Sequence, residues 1–192
     1  MSAAESVQQD GIDGVDFAKR WLESTTWIDL PFDAYNNAPI CTLTRLDNKM
    51  KRYDLFGSIH TSPPSPVYVE VKNYTSTGGK QGEEYWEFLA NAYSITARDI
   101  KNGEDGRREF MWITRHPFNQ TDWTALTSAG RINAALGKHP EVLDGQAIDI
   151  DLLSTVADRL WLLVVHQRQE GLMLSAEELS IVESRLNRKG KK

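Results

Sequence analysis

Three residues carry the chemistry that this sequence offers most plainly: Asp54, Glu70 and Lys72. Glu70 and Lys72 stand two apart in residues 67–73, Val-Tyr-Val-Glu-Val-Lys-Asn. A β-strand turns alternate side chains to opposite faces, so this spacing puts the Glu and the Lys on one face and Val69 and Val71 on the other. Charged groups on so apolar a strand need partners. Asp54, in Arg-Tyr-Asp-Leu-Phe-Gly (52–57), supplies one if its strand pairs antiparallel with the Glu-x-Lys strand. Two carboxylates held close repel each other unless a cation lies between them. Oxygen ligands select a hard ion, so Mg²⁺ is the expected cofactor and Mn²⁺ its substitute, with the Val71 carbonyl as a further metal ligand. Lys72 would then polarise a metal-bound water beside a phosphate, and the metal would offset the charge that develops there.

The elements that must position these residues follow from the hydrophobic pattern. Phe17, Ala18, Trp21 and Leu22 share a helical stripe, which predicts a helix over 11–24 with Asp13 as its N-cap and a disordered start at 1–10. Residues 27–33 and 40–45 read as strands, 46–49 as a turn, and 51–59 as the return arm of a hairpin. The three prolines of 61–66 make a loop. The strand over 67–73 is followed by a Gly/Ser/Thr-rich flexible loop (74–82) and a helix over 83–101, whose buried face carries Trp86, Leu89, Ala90, Tyr93 and Ala97. A strand over 109–114 and a helix over 121–136, closed by Gly137, come next. The last third reads as helical from Leu152, Val156, Leu160, Leu163 and Val164, although 161–165 alone equally suits a buried strand. Ser175 and Glu178 form a capping box before a last helix ending near Asn187. The expected architecture is an α/β sandwich with a mixed sheet.

The order helix, Asp-bearing strand, Glu-x-Lys strand, helix resembles the PD-(D/E)XK nuclease superfamily. Tyr53-Asp54 stands where that family often has Pro-Asp, Glu70-Val71-Lys72 forms the second motif, and Gly11, Gly14, Phe17 and Trp21 resemble the opening helix of its restriction-endonuclease-like members. The resemblance covers residues 11–115. It implies an αβββαβ core, a mixed sheet flanked by helices, and C-terminal helices beyond it. It also implies Mg²⁺-dependent cleavage of DNA, less often RNA, with Asp54 and Glu70 as metal ligands and Lys72 positioning the water. Gln81 and Tyr85 have the Gln-x-x-x-Tyr spacing of RecB-like members and are accessory candidates. The alternative, a loop Gln and a core Tyr, stands slightly ahead. Glu23 is a further accessory candidate from the first helix, against the favoured alternative of a solvated face. Lys80 is a candidate phosphate contact in a chain with many surface lysines.

The 192 residues suit one core at 11–140, a helical extension at 141–187 packed on it, and a basic tail at 188–192. A net charge of -5 argues against a surface that grips nucleic acid everywhere. No helix-turn-helix or zinc-finger pattern reads a sequence, so specificity is expected from a homodimer or from a partner protein that delivers DNA. By analogy, such compact nucleases serve as effectors of bacterial restriction or phage defence. The competing expectation is a non-catalytic scaffold subunit that docks a partner through its C-terminal helices. His60, His116, His139 and His166 lack metal-ligand spacing, and Cys41 reads as a small core residue. With one cysteine, no apolar run long enough for a membrane and no signal-like start, a cytoplasmic location is expected.

Overall fold

The computed structural model describes residues 3–25, 27–74 and 80–186, so the tail at 188–192 and most of the loop expected at 74–82 lie outside the described residues. The chain begins with helix α1 (Ala3–Thr25). This helix starts earlier than its apolar stripe, and 3–10 are helical rather than disordered. Ala, Glu and Gln are good helix formers, and Gln9 donates to Asp13 one turn on.

Strands β1 (Ile28–Asp33), β2 (Thr42–Thr44), β3 (Met50–Arg52), β4 (Leu55–Ile59) and β5 (Ser65–Lys72) follow. Next come α2 (Gln81–Lys101), β6 (Glu109–Thr114), α3 (Ala129–Lys138), α4 (Ile150–Ala157), β7 (Leu160–Val164) and α5 (Ala176–Leu186). The main sheet has the order β1-β4-β5-β6-β7, and β2 and β3 form a separate two-stranded sheet. The β1–β4 and β4–β5 pairs are antiparallel, whereas β5–β6 and β6–β7 are parallel. The sheet is therefore mixed, and the architecture is α/β.

Two cores fill its faces. On one, Val15, Phe17, Ala18 and Leu22 of α1 pack against Leu55, Val67, Val69, Met111 and Ile113. On the other, α2, α3 and α4 cover Tyr53, Tyr68, Phe110 and Trp112. Period-two alternation along β5 thus sends its valines to the α1 side and leaves Tyr68, Glu70 and Lys72 on the α2 side.

Three expectations need correction. The arm expected over 51–59 is two strands in two sheets: Tyr53 N–H still donates to Cys41 O, but Asp54 N–H donates to Val69 O of β5. The chain changes partner between those residues, because the aromatic side of Tyr53 is needed in the α2-side core while Leu55 belongs to the α1-side core. The helix expected over 121–136 is a 3-10 turn at Trp123–Ala125 followed by α3, because the Ser128 hydroxyl caps a new helix by accepting from Arg131 N–H. Gly137 lies inside α3, which stops at Lys138 because His139 precedes a proline and is held out of helical geometry. Residues 160–164 are a strand, taking the β7 place beside β6. The Ser175–Glu178 capping box is present, with reciprocal bonds of 2.8 and 3.2 Å.

The β1–β4 register shifts between Asp29 and Phe32, a bulge at the sheet edge that accommodates Pro31. Gly57 lies against it, so closely that a Cβ there would run into the Asp29 carbonyl. Among the described residues no helix is long and apolar enough to cross a membrane.

Candidate active site

Asp54, Glu70 and Lys72 converge where the polypeptide passes from the small sheet to the large one. The β4–β5 register pairs Leu55 with Val69, and one step further sets Asp54 across from Glu70. Asp54 Oδ2 accepts the Val71 N–H at 2.7 Å. In a strand the N–H and C=O of one residue leave by the same edge, so the Val71 carbonyl is also turned toward Asp54. Glu70 is buried, at 7% exposure. Its Oε1 lies 3.0 Å from Lys72 Nζ and its Oε2 lies 2.9 Å from Lys51 Nζ of β3. The Lys51 contact is an ion pair outside hydrogen-bonding angle, because Glu70 Oε2 is buried with no hydrogen-bond partner. Lys72 Nζ also lies 3.0 Å from Glu84 Oε2 in the first turn of α2, and the Tyr74 hydroxyl donates to Glu84 Oε1 at 2.8 Å.

The titration behaviour follows from this crowding. Burial, and then the Glu70 charge, push the Asp54 carboxyl up to about 6, against the opposing pull of the Val71 N–H, Lys72 and Lys51. Burial alone would lower Lys72, but Glu70 and Glu84 outweigh it and hold the ammonium well above its ordinary value. Burial likewise works to raise Glu84, yet the Tyr74 hydroxyl and Lys72 hold it below the usual carboxylate range. Lys72 is therefore a permanent cation, and Asp54 is a carboxylate kept charged at a cost.

Among the described residues no three His, Cys, Asp or Glu side chains gather as a metal cluster. An ion here would be held by two carboxylates, Asp54 and Glu70, together with the Val71 carbonyl. That all-oxygen set suits Mg²⁺ or Mn²⁺, and the buried Glu70 Oε2 without a hydrogen bond offers a ligand atom.

The other candidates separate. Gln81 begins α2 and is buried, donating to Thr114 Oγ1 at 2.6 Å and to His116 O at 3.3 Å. Thr114 pairs with Lys72, so Gln81 fixes the α2 N-terminus one strand away from the site. Tyr85 is not an accessory group: its ring packs among Phe88, Trp112 and Phe118, and its hydroxyl donates to Leu126 O at 3.1 Å. One helical turn carries it into the core, away from Lys72. Glu23 is also not in the site. Its Oε1 accepts from Leu30 N–H at 3.0 Å and from Lys19 Nζ at 2.6 Å, and so serves the backbone of the β1 bulge. Lys80 is exposed immediately before α2. Burial pushes the Cys41 thiol up to about 11, which suits a core residue and not a nucleophile.

Sequence reasoning missed Lys51 and Glu84. Lys51 alternates with Tyr53 on one strand face, and Glu84 follows Gln81 by one turn. Both signals are faint, because lysines and glutamates on exposed faces are common.

No protein-family model and no curated protein sequence matches the chain. Among solved structures, the Cap4 SAVED/CARF-domain containing receptor of Acinetobacter baumannii with the cyclic trinucleotide 2'3'3'-cAAA gives a TM-score of 0.39 at 14% identity, over 93% of this chain and 35% of that one. The Moraxella osloensis Cap4 SAVED/CARF-domain containing receptor gives 0.39 at 11% identity, over 93% and 36%. The chain thus spans roughly a third of the length of these receptors.

Proposed function

We propose that this protein is a metal-dependent nuclease that hydrolyses phosphodiester bonds, with DNA as the substrate ahead of RNA. The observation that carries this reading is the Asp54–Glu70 pair. The two carboxylates are drawn together at the junction of two sheets although burial and the Glu70 charge oppose the ionisation of Asp54, and Lys72 lies against Glu70. A carboxyl perturbed by burial and by a specific charged neighbour, as Asp54 is, is a functional-site candidate.

A divalent ion held by Asp54, Glu70 and the Val71 carbonyl would supply Lewis acidity, making water a better nucleophile and offsetting negative charge at the phosphate. The protein's own groups do the rest. Glu70 and Glu84 hold the Lys72 ammonium in one place. Because it stays protonated, Lys72 orients the attacking water and stabilises charge on the phosphoryl oxygens, and it is not a general base. Water attacks phosphorus and gives up a proton to solvent, the P–O bond to the leaving strand breaks, and the leaving oxygen takes up a proton from solvent. Lys80, exposed ahead of α2, is available as a phosphate contact.

The acidic chain carries no recognisable sequence-reading motif, so a second copy or a partner protein supplies specificity. By analogy of fold, an effector subunit of restriction or phage defence fits these properties. A scaffold reading is favoured by one observation: Glu70 is already neutralised by two lysines.

Cleavage of plasmid DNA, single-stranded DNA and RNA in Mg²⁺, Mn²⁺ or EDTA tests the proposal. Metal-dependent cutting that is lost in Asp54→Ala and in Lys72→Ala is the expected result. Cutting that persists in both variants refutes the assignment.

A further inference from the structure

We propose that Lys51 is the resident counter-ion of the Asp54–Glu70 pair, seated where a divalent cation binds, so that metal uptake is an exchange that expels its ammonium. The inference rests on the metal-dependent reading above and adds a positioning residue to it.

The two lysines at Glu70 are built differently. Lys72 is shared between Glu70 and Glu84 and lies 5.2 Å from the Trp112 ring centroid, so it keeps a carboxylate and an aromatic face whatever happens to Glu70. Lys51 reaches Glu70 from a different sheet, with its Nζ 5.4 Å from the Tyr53 ring centroid. Its charge is also felt at Asp54. It meets Glu70 at Oε2, the oxygen without a hydrogen bond. Among the described residues Lys51 pairs with one carboxylate and Lys72 with two, so Lys51 is the easier of the two to displace.

Charge balance points the same way. Three carboxylates, Asp54, Glu70 and Glu84, face two ammonium groups, which leaves one negative charge over. Replacing the Lys51 ammonium by a divalent ion brings the cluster to neutrality, whereas adding the ion beside Lys51 leaves it positive. Like charges at such range repel.

The exchange needs only a rotation of the side chain. The small sheet itself is bolted to α2: Arg45 Nη1 donates to Asn91 Oδ1 at 2.9 Å, Leu46 N–H donates to Ser94 Oγ at 3.0 Å, and Arg98 Nη1 donates to Arg45 O at 3.0 Å. The Lys51 side chain is partly exposed and has a flexible four-carbon stem, so it can swing outward while β3 stays in place.

The test is Mn²⁺ binding measured by titration calorimetry on the wild-type protein, Lys51→Met and Lys51→Gln. Methionine keeps an apolar stem over Tyr53 and removes the charge. Removing the competitor should tighten Mn²⁺ binding about tenfold, equivalent to roughly 1.4 kcal/mol. In the wild-type protein, acetic anhydride labelling of Lys51, mapped by mass spectrometry, should rise on Mn²⁺ saturation and fall back with EDTA. Should the wild type bind Mn²⁺ while both variants bind it equally or more weakly, the exchange is overturned and the nuclease reading stands. Mn²⁺ binding to none of the three proteins overturns the exchange and the metal-dependent reading together. If either variant fails to fold, the wild-type labelling decides: no rise at Mn²⁺ saturation overturns the exchange.

Discussion

Replacing Asp54 by Asn should stabilise the metal-free protein at neutral pH, the opposite of what removing an ordinary ion-paired carboxylate does. Burial and the neighbouring Glu70 lift the Asp54 carboxyl from 3.8 to about 6. A group whose folded pKa is raised contributes fully to stability below its unfolded value, and that contribution is lost as pH rises through the folded value. The window therefore runs from pH 3.8 to about 6. Above it, the lift amounts to about 3 kcal/mol at roughly 1.36 kcal/mol per pH unit. Asp54 is partly exposed, and solvent screening trims the figure to about 2 kcal/mol. Asparagine has nearly the same shape, and its amide oxygen can still accept the Val71 N–H. At roughly 2–4 °C per kcal/mol for a chain of this size, the variant should melt about 4–8 °C higher than the wild type in EDTA at about pH 7.5. The difference should vanish near about pH 4, where both proteins are uncharged at this position. Mg²⁺ at about a hundred times its Kd should restore roughly 2.7 kcal/mol to the wild type and leave the variant unchanged. Thermal denaturation by circular dichroism measures all of this. A variant melting at or below the wild type in EDTA at about pH 7.5 refutes the reasoning, because Lys51 and Lys72 would then make the Asp54 carboxylate a net stabilising charge.

Three further substitutions probe the supports of the site. Glu23→Ala leaves the Leu30 N–H of the β1 bulge without its acceptor and should cost about 1–2 kcal/mol in denaturant unfolding, with cleavage unchanged in the folded fraction. A loss of cleavage out of proportion to stability would return Glu23 to the catalytic machinery. Gly57→Ala drives a methyl into the Asp29 carbonyl and should cost about 3 kcal/mol, because neither backbone can retreat without breaking the β1–β4 ladder. A thermal shift below about 3 °C would contradict that close approach. Tyr85→Phe removes one buried hydrogen bond to Leu126 O and should cost about 1 kcal/mol with kcat unaltered. A selective fall in kcat would mean that the hydroxyl acts on substrate.

The Glu-x-Lys strand was legible because period-two alternation and β-branched residues agree over 67–72, and the structure places β5 there with its valines on the α1 side. The antiparallel approach of Asp54 was legible from the short connection between the two strands. What the sequence hid was the break at Tyr53-Asp54. Residues 51–59 alternate as smoothly as one strand, and only the three-dimensional demand that Tyr53 and Leu55 enter different cores splits them. Lys51 was invisible for the same reason, because it belongs to a sheet that a single long hairpin would not contain. Glu84 and Tyr85 are adjacent, and helical rotation alone decides that the first reaches Lys72 and the second enters the core. Glu23 looked like any exposed helix carboxylate until the bulge opposite it exposed an N–H to satisfy.

The central claim is that Glu70 is a catalytic ligand and not a structural counter-charge, and one comparison tests it most directly. Wild-type protein and Glu70→Gln are incubated with DNA in Mg²⁺ at matched folded concentration, with binding to any captured partner measured alongside. The account predicts cutting by the wild type, a loss of cutting by at least roughly a hundredfold in the variant, and partner binding that does not change. Equal cutting by both proteins would contradict it.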